Sequence, residues 1–186
     1  LEIVQKLYAK AAVFEKDGEY AALLALDYLS IPEGLLEIVA DRVTQYTDIK
    51  PENIIIGATH SHTSGPTVGN LGEFRLGKLT PNEPELDAEL DKKAIEMASM
   101  RAADAITAAY QRLTEVEIKF GCDELKNVGF VREHILKDGT IRTNPGWEEV
   151  KEAVSDPDTR LPVFYVTDKE NGKPLGIITS YALHHD

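Results

Sequence analysis

Three Asx-Gly dipeptides lie between apolar stretches: Asp17-Gly18, Asp138-Gly139 and Asn171-Gly172. Asp, Asn and Gly tolerate the positive φ that tight hairpin turns demand, so each dipeptide marks a place where the chain folds back on itself as paired strands. Around the first, the strands are expected over Tyr8 to Phe14 and Tyr20 to Leu26. Around the third, they are expected over Val163 to Thr167 and Leu175 to Ser180. The middle turn, between Ile135-Leu136 and Ile141, has shorter flanks and reads either as a hairpin or as a loop excursion. Val116, Ile118, Phe120 and Cys122 alternate with Glu115, Glu117, Lys119 and Gly121, the period of a half-buried strand, and place Cys122 on the inward phase.

Two segments carry helical period instead. Within Glu33 to Tyr46, the residues Leu35, Leu36, Val39 and Val43 are expected on one face. Within Pro84 to Leu113, the buried stripe is read as Leu86, Leu90, Ala94, Met97, Ile106, Ala109 and Tyr110. Pro84 is tolerated in a first turn, and Glu85, Asp87 and Glu89 favour a helix N-terminus. Ile54, Ile55 and Ile56 are consecutive, which suggests a strand covered on both faces. The order β, β, α, β, α, β and then a hairpin predicts an α/β fold: a mixed sheet with helices packed on it and several β-hairpins. Residues 1–186 read as a single domain. Loops Ser64 to Asn82 and Gly146 to Leu161 are long, and long loops in a compact domain are commonly functional.

Charge and composition exclude several roles. The net charge of -12 opposes nucleic acid, whose binding needs cationic side chains to displace counterions, and an anionic membrane face for the same reason. The apolar fraction of 42% is enough for a real core. No apolar run approaches the roughly 18 residues of a membrane span. With one cysteine, an internal disulfide is impossible. Phosphate loops, dinucleotide fingerprints and Gly-x-Ser-x-Gly elbows are absent; Gly69-Asn70-Leu71-Gly72 is too sparse to be a fingerprint.

The chemistry concentrates in histidine. Four of the five histidines fall in two groups. Thr59-His60-Ser61-His62 follows the Ile-rich strand, at the end where α/β sheets place ligands. Histidines at i and i+2 of an extended chain project to one side and can share a metal ion, or one can bind metal while the other meets substrate. The alternative is two polar residues at a strand end, satisfied by water or carbonyls. His184-His185-Asp186 ends a second apolar strand, read as Gly176 to Leu183. Two imidazoles leave a zinc site incomplete; Asp27, at the end of Leu23-Leu24-Ala25-Leu26, and Asp186 are the further ligand candidates in view. For Asp27 the competing role is a turn or cap carboxylate. Arg132, within Val128 to His134, has the chemistry to clamp a carboxylate or polarise a carbonyl, with a surface ion pair as the alternative.

These residues match a known family in collinear order over essentially the whole chain. The matching elements are Leu7-Tyr8-Ala9-Lys10-Ala11, Ala25-Leu26-Asp27, Pro51-Glu52-Asn53 and Ala58-Thr59-His60-Ser61-His62-Thr63-Ser64-Gly65-Pro66. They continue with Lys137 to Gly146, Asp156-Pro157, Gly172-Lys173-Pro174-Leu175 and Tyr181-Ala182-Leu183-His184-His185-Asp186. The sequence resembles the N-terminal catalytic domain of the neutral/alkaline non-lysosomal ceramidases, in their bacterial ceramidase-like branch. The resemblance implies a zinc-dependent amidase acting on the N-acyl amide of ceramide or a related lipid amide. It implies His60 and His184 as zinc ligands, with His62 lining the active site and Arg132 contacting the reacting centre. It implies further that a Glu, a Tyr and a catalytic Ser follow later in the family's chain. The sequence is accordingly expected to be a fragment with little activity alone. An exported or surface-bound location is expected by the same resemblance, although no signal peptide stands at Leu1. Thr63 is an extra residue relative to the family's usual His-Thr-His-Ser-Gly-Pro. A hydrolase of a different amide or ester, and a non-catalytic binding module, are the alternative readings of the same scaffold.

Overall fold

The structure, a computed structural model, describes residues 6–31, 34–62, 64, 84–146 and 149–184. The chain divides into two compact units, one up to Leu113 and one from Thr114.

The first unit is built on a hairpin. Strands β1 (Ala9–Lys16) and β2 (Glu19–Leu26) pair antiparallel across Asp17-Gly18. Both turn residues have positive φ, 54° and 82°, the requirement of a two-residue turn whose twist matches the strands. Strand β3 (Ile54–Ala58) then pairs parallel to β2, giving a mixed sheet in the order β1-β2-β3. Register places Ala22, Leu24 and Leu26 beside Ile54, Ile56 and Ala58 on one face. That face is packed by α1 (Leu35–Val43) and α2 (Pro84–Tyr110). Leu35, Val39 and Val43, each 0% exposed, occupy the i, i+4, i+8 positions that one helical face provides. Full burial of each such side chain stabilises the unit by about 1.5–3 kcal/mol.

The packing corrects three expectations. Leu36 faces outward and Ala40 takes the inner position. On α2 the inner seam is Ala98, Ser99, Ala102, Ala103 and Ile106, whereas Met97 is exposed; Leu86 and Leu90 lie outside the described side chains. Small residues let the helix backbone approach its neighbours closely, so the seam follows size as well as hydrophobicity. Ile55 is 63% exposed while Ile54 is 5% exposed, so β3 is covered on one face only.

The second unit consists of two antiparallel sheets. Strands β4 (Val116–Glu124), β8 (Arg160–Asp168) and β9 (Pro174–Thr179) form one, in the order β4-β8-β9. Strands β5 (Glu133–Leu136), β6 (Ile141–Thr143) and β7 (Val150–Ala153) form the other, in the order β6-β5-β7. The middle Asx-Gly pair thus closes a true hairpin: Gly139 has φ 85°, and the Asp138 side chain accepts the Thr140 N–H at 2.9 Å. The stretch between Gly146 and Leu161 contains β7 rather than being loop throughout. The expected half-burial of β4 is not seen: Phe120 packs on Phe164 with ring centroids 4.9 Å apart, but Ile118 is 44% and Phe120 64% exposed, because no further element covers that face among the described residues. The expected burial of Cys122 in a core is overturned, because Cys122 is exposed.

Candidate metal centre

The site begins where β3 ends. The parallel pairing of β2 with β3 continues past both strands: the Thr59 N–H donates to the Leu26 carbonyl at 2.9 Å, and the Ser61 N–H donates to the Tyr28 carbonyl at 3.1 Å. Between these two bonds, His60 takes the left-handed conformation with φ 59°. Non-glycine residues visit that region at a cost of about 1–2 kcal/mol, so the flanking ladder bonds hold a locally unfavourable backbone in place. Extended alternation is therefore not what brings the two histidines together. The kink does it, and the rings of His60 and His62 meet edge to face with centroids 4.9 Å apart.

The His60 ring is fixed by a backbone contact. Its Nδ1 lies 2.8 Å from the Leu29 carbonyl oxygen. A carbonyl only accepts, so Nδ1 carries the proton and Nε2 carries the lone pair that can coordinate an ion. This arrangement, a metal-ligating imidazole whose other nitrogen donates to a carbonyl, is the usual outer support of histidine metal sites. One nitrogen from each of His60 and His62 lies within 4.8 Å of the other. At that separation one imidazole can hold an ion while the other meets a substrate beside it. The donor set suits Zn2+, which takes imidazole nitrogen readily: both histidines are exposed and lie just past the end of β3.

Asp27 is not free for metal. Its Oδ2 accepts the Tyr8 N–H at 2.9 Å and its Oδ1 accepts the Thr59 hydroxyl at 3.1 Å. Its own N–H donates to the Tyr8 carbonyl at 3.0 Å. Of the two roles open to it from sequence, the structural one is observed. Nearby, burial raises the Tyr28 phenol above its ordinary pKa. The Ser64 hydroxyl donates to the Ser61 carbonyl at 3.0 Å and closes the turn after His62. Thr63, Gly65 and Pro66 lie outside the described residues, as do His185 and Asp186.

Arg132 and His184 belong to the second unit. Arg132 directly precedes β5 and is exposed; its carbonyl accepts the Asn144 N–H at 2.9 Å and lies 3.1 Å from His134 Nδ1. His184 follows β9 at a distance, because the strand stops at Thr179 rather than running to Leu183. The intervening segment is anchored by the Tyr181 hydroxyl, which donates to the Leu125 carbonyl at 2.7 Å. It passes close over Gly129, where an added Cβ would stand 3.3 Å from the Ala182 carbonyl oxygen. The Leu29 carbonyl and the close pass at Gly129 had no signature in the sequence, since a backbone acceptor and a tight approach leave no mark on residue type alone.

Among the described residues no helix is long and apolar enough to cross a membrane. No family model matches the sequence, and no curated protein does. Solved structures do match. One is a ceramidase complexed with C2, at 22% identity and TM-score 0.65, over 93% of this chain and 25% of that one. Another is the neutral ceramidase from Pseudomonas aeruginosa, at 22% identity and TM-score 0.64, over the same shares. The chain thus spans about a quarter of the length of these structures, and over that span it is similar to them in fold.

Proposed function

We propose that the chain carries part of a zinc-dependent amidohydrolase site of the neutral ceramidase type, acting on the N-acyl amide of ceramide or a related lipid amide. The observation that carries this reading is the His60–His62 pair at the end of β3, with the His60 proton placed on Nδ1, in a fold similar to that of ceramidases. His60 and His184 are assigned as the zinc ligands. When bound, zinc would polarise the amide carbonyl and lower the pKa of water at the site. The reaction adds water across the amide: a C–O bond forms at the carbonyl carbon, the C–N bond breaks, and the leaving nitrogen takes a proton. His62, exposed beside His60, is assigned to carry that proton. Arg132 is assigned to the negative charge that develops on the carbonyl oxygen, a role suited to a guanidinium that stays protonated. For a ceramide the products are a fatty acid and a sphingoid base. The fuller reading treats residues 1–186 as one part of a larger catalytic domain in an exported or surface-bound protein, and the part alone is expected to turn over little substrate.

Zinc binding is the test. The full-length protein titrated with Zn2+ against a chromophoric chelator is expected to bind one ion, and His60→Ala and His184→Ala are each expected to abolish binding. A folded full-length protein that binds no zinc would remove the basis of the proposal. Rapid hydrolysis of a short-chain acyl-sphingosine by this chain, lost in His184→Ala, would support the chemistry and contradict the expected low activity.

A further inference from the structure

We infer that Asp27 is a positioning residue for His60, holding the imidazole so that Nε2 is the metal-binding atom. The inference rests on the functional reading above for its purpose and on the geometry of the first unit for its substance. Asp27 joins three chain segments: the start of β1 through Tyr8, the end of β2 through its own backbone, and the end of β3 through Thr59. Thr59 immediately precedes His60, and the Leu29 carbonyl that receives the His60 proton lies two residues beyond Asp27. Both sides of the His60–Leu29 contact therefore start from Asp27, one through its carboxylate on Thr59 and the other along its main chain.

Thr59 N–H to Leu26 and Ser61 N–H to Tyr28 hold the left-handed His60 backbone between them. The Thr59 hydroxyl on Asp27 Oδ1 adds a side-chain anchor at the residue directly before it. A carboxylate suits the task, because Tyr8 N–H and the Thr59 hydroxyl both act as donors and each takes a separate oxygen. Asparagine preserves the arrangement: its carbonyl oxygen accepts from Tyr8, and its amide donates to the Thr59 hydroxyl, which rotates to accept. Alanine removes both contacts, and Thr59→Val removes one while keeping the branched shape.

The experiment compares wild type, Asp27→Ala, Asp27→Asn and Thr59→Val in the 186-residue chain. Zinc affinity is measured by chelator competition. The His60 tautomer is read from imidazole 1H–15N correlation spectra of metal-free protein at about pH 8, where imidazole is mostly neutral. Loss of outer support typically weakens metal sites on the order of ten- to a hundredfold. Asp27→Ala and Thr59→Val are expected to fall into that range and to lose the pure Nδ1–H tautomer, while Asp27→Asn stays within about threefold of wild type. If Asp27→Ala does not fold, Thr59→Val and Asp27→Asn decide. Unchanged affinity and tautomer in folded Asp27→Ala or Thr59→Val would overturn the inference. An Asp27→Asn variant as weak as Asp27→Ala would overturn it too, by making the carboxylate itself a ligand. If the 186-residue wild type binds no zinc, the tautomer alone decides this inference, and the functional reading is decided by the full-length protein: Nδ1–H in wild type and Asp27→Asn but not in the other two supports the inference, and Nε2–H in wild type overturns it.

Discussion

Ile54 and Ile55 are adjacent residues of identical chemistry on the strand that presents His60. Ile54 is 5% exposed and Ile55 63% exposed. Truncation to alanine removes three carbons at either position and lowers strand propensity equally, so the common backbone effect cancels in the comparison. At Ile54 the lost burial is roughly 2.4 kcal/mol at about 0.8 kcal/mol per buried methylene, and the cavity left against the helices raises the cost toward about 3 kcal/mol. At Ile55 about a third of that contact exists to lose, which gives less than about 1 kcal/mol. The expected difference is about 2 kcal/mol, a factor of roughly 30 in the opening equilibrium. Native-state hydrogen exchange at the β2 amides reads the stability of the first unit without mixing in the second. Ile54→Ala should speed that exchange far more than Ile55→Ala. Equal effects, or a reversed order, would refute the assignment of the inner face of β3 and with it the register that sets His60 at the sheet end.

Further tests address the supports around this core. The Tyr110 hydroxyl donates to Asp48 at 2.7 Å, and this bond pushes the Tyr110 phenol up to about 12 from its ordinary value of 10.0. Because the folded state favours the protonated phenol, the stabilisation is present below about pH 10 and is lost as pH rises through about 12. A Tyr110 ring signal that titrates near its ordinary value would contradict the bond, and Tyr110→Phe should remove the most basic tyrosine transition from the tyrosinate absorbance. Gly129→Ala places a methyl 3.3 Å from the Ala182 carbonyl, so the segment 181–183 must yield by a few tenths of an ångström. The Tyr181–Leu125 bond should loosen, at a local cost of about 0.5–1.5 kcal/mol, visible as altered backbone NMR shifts at 181–184. Unchanged shifts would mean that the segment has slack.

Much of the architecture was legible in the residues. Each Asx-Gly pair required positive φ and therefore a reversal, and all three close antiparallel pairs. Alternation fixed which side chains of β4 share a face, and helical spacing located α1 and α2, because these periodicities follow from backbone geometry alone. The position of the histidine pair at a strand end was also visible, since composition isolates four histidines in two short groups.

Tertiary structure decided what covers each face and which way each ring turns. Three consecutive isoleucines looked buried on both sides, yet a strand at the edge of its described sheet, packed by helices on one face, leaves Ile55 in water. Cys122 was in phase with apolar neighbours, but phase says only that residues point together, not that another element lies over them. The same limit holds at the candidate metal centre. Residue type named His60 as a ligand candidate and left Asp27 with two roles. Only the convergence of three segments, Tyr8 before β1, Asp27 and Leu29 after β2, and Thr59 after β3, shows that Asp27 holds backbone and hydroxyl while His60 Nδ1 meets a carbonyl. Hydrogen-bond donors from distant parts of the chain compete for the same oxygens, and that competition is resolved by three-dimensional distance rather than by sequence order.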